Sequence, residues 1–300
     1  MPALLSAVGL TKNYGSMVAL RDVTVDVEPG TTGLLGANGA GKSTLMTLFL
    51  GITQPTSGKF SVLGEDGADV VHAHRLIGYS PEYECLPPNV SAVEFVTHMA
   101  RVSGLPRTEA RTRATDVLRH VGLDEERYRA MGTYSTGMKQ RAKLAQAIVH
   151  DPQLVLLDEP TAGLDPAGRQ EMLELISRTG HEFGISMLIS SHLMGDIERT
   201  CDRIIVLEAG EVLEQGEVSG YTTDTETLVA EFDEGIDAVA ALLEQRGIVC
   251  VIEGRALIIQ DATADDLDVI RDVVVESGAL LHRLAPRAHT LSDIFRRPVS

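Results

Sequence analysis

The sequence has no apolar run long enough to cross a bilayer, little cysteine and a shortage of basic residues, and each lack excludes something. The stretch 29–58 carries a single charge, Lys42, but glycines and prolines interrupt it. Its apolar part, residues 44–53, is about half of the ~20 residues a membrane helix needs. Three cysteines, Cys85, Cys201 and Cys250, are far apart and odd in number, which suits neither a disulfide framework nor a metal cluster. Reduced thiols are the expectation. Twenty-six lysines and arginines stand against 43 aspartates and glutamates, and the net charge of −17 argues against a nucleic-acid-binding surface. Residues 1–10 lack the basic start and long apolar core of a secretion signal. A cytosolic protein is expected, held at a membrane only through a partner that spans it.

What is present begins with ordinary globular composition, 44% hydrophobic and 23% charged over 300 residues. That length suggests one large domain and one small one. The chain is organised around Gly36-Ala37-Asn38-Gly39-Ala40-Gly41-Lys42-Ser43, which fits a phosphate-binding loop of Gly, four residues and Gly-Lys-Ser. Residues 31–35 before it read as a buried strand, and residues 44–50 after it as an apolar helix. Glycines allow the backbone to wrap a phosphate chain with its N–H groups turned inward, and the helix start adds partial positive charge. Lys42 would reach the β- and γ-phosphates, while the Ser43 hydroxyl would hold Mg²⁺.

Around this loop the chain reads as alternating strands and helices. Residues 4–10 and 19–27 alternate as edge strands joined by a turn at Asn13-Tyr14-Gly15-Ser16. Tyr14 in that turn is either a surface aromatic or a ring that stacks on a nucleotide base. A strand at 58–63 follows, then residues 76–82, where Pro81 ends a strand and leaves Glu82 at its tip. From 85 to 150 the pattern is helical: a capping box at Ser91 and Glu94 opens a helix to about 103, a second spans 111–121, and a third 139–150. Ser135 would cap the third, as an ordinary cap or as a second phosphate-facing helix start.

Residues 154–159 are an apolar run ending in Asp158 and Glu159, the pattern of a central parallel strand with its acidic end at the phosphate-loop rim. Asp158 would hold the metal and Glu159 would take a proton from attacking water. Asp165 before Pro166 is a strong helix start, with a helix to about 179. Residues 185–189 form another buried strand, and His192 lies beyond its end on the same rim. A hairpin at 203–215 turns at Ala209-Gly210. After a linker at 219–225, residues 228–283 follow a β-α-β-β-α-β order, the split pattern of a ferredoxin-like module, and residues 292–297 look like a terminal helix.

Over about residues 4–218 this constellation resembles the nucleotide-binding subunits of ABC transporters. The features come in the family's order: Tyr14 as adenine-stacking aromatic; Gly36 to Ser43 as Walker A; and Glu82 where a glutamine loop belongs. Next come Ser135-Thr136-Gly137-Met138-Lys139-Gln140 as signature and residues 154–159 as Walker B. Gly163-Leu164-Asp165 matches the loop that crosses to a partner, and His192 the switch histidine. The resemblance implies a P-loop NTPase: a RecA-like parallel sheet with an antiparallel edge sheet and a helical signature subdomain at about 86–150, all within an ATP-binding domain at 1–220. A small α+β ferredoxin-like domain at 221–300 would be accessory or regulatory.

It implies ATP and Mg²⁺, with Gly36, Asn38, Gly39, Gly41, Lys42, Ser43 and Thr44 on the phosphates and Ser43, Asp158 and Glu82 at the metal. Glu159, His192 and Lys42 would be catalytic. Two domains would stack head to tail, Ser135 and Gly137 of one facing the nucleotide of the other and Asp165 crossing between sites. Glu82 in place of glutamine, and Tyr-Ser-Thr-Gly-Met in place of Leu-Ser-Gly-Gly-Gln, look like bacterial exporter ATPases of the drug, antibiotic and lipid type. The expected partners are an integral membrane permease and a second nucleotide-binding subunit, which a homodimer suffices to supply. A soluble ABC ATPase not coupled to transport, and an importer subunit, are the rival readings.

Overall fold

A computed structural model describes residues 3–67, 72–219, 224–259 and 264–288. The chain divides into two compact units, Met1–Val218 and Ser219–Ser300. Among the described residues no helix is long and apolar enough to cross a membrane.

In the first unit, β1 (Leu5–Tyr14) pairs antiparallel with β2 (Met17–Val27) and with β4 (Ser57–Val62), and a short β5 (Glu65–Asp66) follows, in the order β2-β1-β4-β5. Tyr14, expected within the connecting turn, is instead the last residue of β1 and pairs with Met17. The turn is displaced because Gly15 supplies the left-handed step, at φ +61°. A second sheet holds β3 (Thr31–Leu35), β6 (Ile77–Ser80), β7 (Leu154–Asp158), β8 (Ser186–Ser191), β9 (Arg203–Glu208) and β10 (Glu211–Glu217). Its order is β10-β9-β3-β8-β7-β6, with β9 to β6 parallel and β10 antiparallel at one edge. All five residues of β7 are buried, as a central strand covered on both faces requires.

Helix α1 (Lys42–Phe49) lies in the core shared by the two sheets, its Leu45, Met46, Leu48 and Phe49 buried in one cluster with residues of β1, β2, β4, β7 and β9. Phe49 and Phe60 meet edge-on there, ring centres 6.1 Å apart. Each such side chain contributes roughly 1.5–3 kcal/mol by leaving water. The helical part consists of α2 (Ala92–Val102), α3 (Arg107–His120) and α4 (Thr136–Ile148). Ser91 and Glu94 close the capping box of α2, and the bonds from Ser91 hold the Glu94 carboxyl below the usual range. Both α3 and α4 begin earlier than apolar periodicity suggests, by four residues at Arg107 and three at Thr136. Their first turns are polar, and Ser135 caps α4 three residues ahead of its apolar stripe.

α5 (Pro166–Phe183) outruns its expected end at 179 because Gly184, at φ +63°, is the residue able to take the left-handed closing step. A seven-residue helix, α6 (Met194–Thr200), has no counterpart among the elements expected from the sequence, being too short to show a period. The β9–β10 turn at Ala209 and Gly210 has positive φ at both residues, the hairpin geometry that matches strand twist.

The strand order puts the carboxyl ends of β3, β7 and β8 side by side. In register, Leu35 lies beside Ser191 and Asp158 beside Ser190. The loops leaving these three strands therefore emerge at one rim.

The second unit contains β11 (Asp224–Glu234), α7 (Ile236–Gln245), β12 (Cys250–Glu253), β13 (Ala256–Ile259), α8 (Ala264–Ser277) and β14 (Leu280–Ala288). Its sheet is antiparallel in the order β12-β13-β11-β14. Leu228, Ala230 and Phe232 of β11 and Leu257 and Ile259 of β13 alternate onto one face, against Val239 and Leu243 of α7 and Ile270 and Val273 of α8. Residues 220–223 of the expected linker and the expected terminal helix at 292–297 lie outside the described residues.

Candidate active site

The phosphate-binding loop is shaped by close approach. A Cβ at Gly36 would stand 2.4 Å from the Leu207 carbonyl, and one at Gly41, φ +106°, would stand 2.8 Å from the Ala19 carbonyl. Neither position has room for a side chain. Gly41 then starts α1, so that Lys42 opens the helix with its ammonium turned back into the loop. Lys42 Nζ donates to the Gly36 carbonyl at 2.7 Å and the Ala37 carbonyl at 3.3 Å.

The same ammonium stands 3.2 Å from Glu159 Oε1, both side chains nearly fully buried. That oxygen has no hydrogen-bond partner; the lysine is close but off line. On the other carboxylate oxygen, Oε2, the His192 ring bonds through Nδ1 at 2.8 Å. Glu159 thus joins the phosphate loop to the end of β8. Its backbone is strained, at φ +46° in the left-handed region. Ser190 fixes that turn: its Oγ accepts from the Glu159 N–H at 2.8 Å and its hydroxyl donates to Asp158 Oδ1 at 2.6 Å. One buried hydroxyl therefore ties the Asp158 carboxylate to the backbone of Glu159, whose own carboxylate faces Lys42 and His192.

Two cavities flank this cluster. One, of about 470 Å³, is walled by Met17, Val18, Asn38, Gly39, Thr44 and Glu159. The other, of about 650 Å³, is walled by Asp158, Thr136, Lys139, Gln140 and Lys143. Ser43 and Glu82 belong to both. The hydroxyl of Ser43 and the carboxylates of Asp158 and Glu82 are therefore drawn to one wall. No cluster of three or more His, Cys, Asp or Glu suited to a metal occurs among the described residues. This donor set nonetheless fits Mg²⁺, which takes one or two protein oxygens and completes its shell with phosphates and water.

Other candidates fall elsewhere. Tyr14 does not wall either cavity; it is exposed, with Lys12 Nζ 4.8 Å from its ring centre. Its neighbours Met17 and Val18 form the wall in its place. Ser135 caps α4, accepting from Met138 N–H, and is exposed; Asp165 caps α5, accepting from Gly168 N–H at 2.7 Å, and is exposed. Neither walls either cavity. They do neighbour each other's loops, since Gln140 Nε2 donates to the Ala162 carbonyl at 3.1 Å and a Cβ at Gly163 would sit 3.2 Å from Thr136 Cγ2.

Sequence reasoning missed Met17, Val18, Ser190 and Lys143. Only Ser190 had a signal, its place in the Ser-Ser-His run at a strand end. Lys143 lies in a buried helix face, where burial pushes its ammonium pKa down, and Tyr79 in the same wall is pushed up by burial and by Asp158.

This arrangement, a phosphate loop facing a carboxylate and a histidine at adjoining strand ends, is that of a P-loop nucleotide hydrolase. The sequence profile of the ABC transporter family matches residues 20–162. The ABC transporter ATP-binding protein YxlF of Bacillus subtilis (strain 168) is 32% identical over 300 residues, 99% of each chain. Bacitracin transport ATP-binding protein BcrA of Bacillus licheniformis is 37% identical over 217 residues, 72% of this chain and 70% of that one. Among solved structures, cbiO1 from Clostridium perfringens, part of the ABC transporter complex cbiONQ, is 30% identical with a TM-score of 0.67, over 73% of this chain and 90% of that one. The chain belongs to the ATP-binding subunits of the ABC transporter family, and its activity is ATP hydrolysis.

Proposed function

We propose that the chain works as a homodimer that hydrolyses Mg²⁺-ATP to drive export through a separate integral membrane permease, attached to the inner face of the membrane by that partner alone. The observation that carries the catalytic part is Glu159, whose carboxylate bridges Lys42 at 3.2 Å and His192 at 2.8 Å beside the phosphate loop. Asn38, Gly39 and Gly41 present the loop backbone to the phosphates, and Lys42 exchanges its own loop carbonyls for β- and γ-phosphate oxygens. Ser43 and Asp158, with Glu82, would hold Mg²⁺, which when bound would offset charge on those oxygens. Glu159 accepts a proton from water attacking the γ-phosphorus, as the bond to the β-phosphate oxygen breaks and ADP and phosphate form. His192 keeps the carboxylate aimed and contacts the γ-phosphate.

Ser135, exposed at the start of α4, and the half-buried Gly137 serve the nucleotide of the second copy, and Asp165 crosses to that site. Tyr14, at the end of β1, stacks on the adenine. Export is favoured by the relatives, whose names describe bacitracin transport, linearmycin resistance and Nod factor export. The second unit, with no part in this chemistry, is a regulatory or dimerising module.

The test is to purify tagged Glu159→Gln protein with ATP from detergent-solubilised membranes and identify its companions by mass spectrometry. One polytopic membrane protein in fixed ratio is the expected result. Recovery from the soluble fraction alone would overturn the transporter reading, and a copurifying solute-binding protein would overturn export.

A further inference from the structure

Strand β6 is the edge of the main sheet, paired on one side with β7 only. Its outward carbonyls come from alternate residues. Such an edge is ordinarily left to water. Here the α4 segment takes them in order. The His150 ring bonds through Nε2 to the Ile77 carbonyl at 3.0 Å and Gln146 Nε2 donates to the Tyr79 carbonyl at 3.4 Å; one residue beyond the strand, Lys143 Nζ donates to the Pro81 carbonyl at 2.6 Å. Past the strand, Lys143 Nζ also donates to the Glu82 carbonyl at 3.1 Å, and Lys139 pairs with Glu84 at 2.9 Å. Residues 139, 143, 146 and 150 recur at three- and four-residue steps, so they share one face.

Helix and strand are also pressed together: a Cβ at Gly78 would lie 1.9 Å from the Ala147 carbonyl. The step at 143 is the one that a fold alone does not call for. Lys143 is 4% exposed, and burying an ammonium is costly where a neutral donor would satisfy the same carbonyls. Glu82, Glu84 and Asp158 share its cavity.

We infer that Lys143 is the positioning residue for Glu82: it fastens the Glu82 loop to the helix that begins at Ser135 and Gly137. Glu82 then moves with α4, so docking of Ser135 and Gly137 on a second copy's nucleotide holds Glu82 at the metal wall of its own chain, where Ser43 already stands beside it. The loop is a follower of the signature helix. Lys143 itself touches no nucleotide; it acts through Glu82, and the inference rests on the role proposed for that residue.

The experiment compares full-length wild type with Lys143→Met, Lys143→Gln, Glu82→Ala and the Lys143→Met/Glu82→Ala pair. It reads single-turnover ATP hydrolysis, ATP affinity, melting temperature and amide hydrogen exchange. Lys143→Met should slow turnover about tenfold, short of the roughly hundredfold that a 1 Å misplacement can cost, and leave ATP affinity within about twofold. Exchange should quicken at 82–85 and stay unchanged at 36–43. Lys143→Gln, a neutral donor, should recover part of the rate. Added to Glu82→Ala, the Met substitution should cost nothing further. A full tenfold loss on that background would overturn the inference, because Lys143 would act independently of Glu82. Unfolding of both Lys143 variants would overturn it too, by assigning the residue to the fold. Wild-type turnover in Glu82→Ala is a separate outcome that removes the role of Glu82 itself.

Discussion

Glu159 concentrates the chemistry of this protein because four neighbours fix it from four directions: Ser190 its backbone, Lys42 and His192 its two oxygens, and β7 its approach. Lys42→Ala should weaken ATP binding by about 10- to 100-fold, the equivalent of a charge-assisted hydrogen bond of ~1.5–3 kcal/mol. Titration with a fluorescent ATP analogue checks this, and unchanged affinity would count against the phosphate-loop assignment. Glu159→Gln keeps the shape and removes the base, so phosphate release should fall on the order of 10²–10⁴-fold while nucleotide affinity holds. Rapid hydrolysis by that variant would remove Glu159 as the base. Lys42, Asp158, Glu159 and His192 are all legible in the sequence, as each ends a readable strand or sits in a spaced motif. Ser190 is different: its part depends on the register of β8 against β7, a pairing across 32 residues that no local pattern encodes.

Among the elements, α4 carries the most connections, and two histidines at the joints around it make the fold sensitive to acid. His150, bonded to the Ile77 carbonyl, has its pKa pushed below the ordinary 6.5 by burial, the carbonyl and Asp151 pulling partly back and Arg113 pushing further down. His120, between Thr179 Oγ1 and Glu182, is likewise pushed down by burial, with Arg178 and Arg113 adding to it and Glu182 opposing. A native pKa below the unfolded value means that the unfolded chain takes protons first as pH drops. Stability is therefore full above about pH 6.5 and is lost as pH falls through the lower native values. His150→Gln keeps an N–H donor and removes one titration. Its melting temperature should fall less than that of wild type between about pH 7.5 and about pH 5.5, and parallel slopes would show that His150 carries none of the effect. Helix types were readable here and their ends were not: α3 and α4 start in polar turns ahead of their apolar stripes, and α5 continues to the glycine that can close it.

At the scale of the whole molecule, every group assigned to ATP lies in the unit Met1–Val218. A chain ending after Val218 should therefore bind ATP with the affinity of the full chain, within about twofold, if the two units contribute independently. A larger loss would give the second unit a direct part in the site. The exposed positions of Ser135 and Asp165 call for a second copy, so Glu159→Gln with Mg²⁺-ATP should double its molar mass in light scattering, and Asp165→Ala in that background should reduce the dimer. A monomer under those conditions would sink the head-to-tail arrangement.

Composition and order alone determined the nucleotide class and the alternation of strand and helix. The reason is local: a glycine-rich turn between strand and helix, and apolar runs ending in charge, are written in consecutive residues. Tertiary structure decided what those residues meet. The Lys42–Glu159–His192 chain joins positions 117 and 33 residues apart in sequence. The turn fell at Gly15, which set Tyr14 at the end of β1 opposite Met17 and made Met17 and Val18 the wall of the cavity. Lys143 read as one more helical residue until the edge of β6 lay against it. Strand order and helix docking bring such groups together, and both arise from burial summed over the whole core, which no stretch of the chain contains by itself.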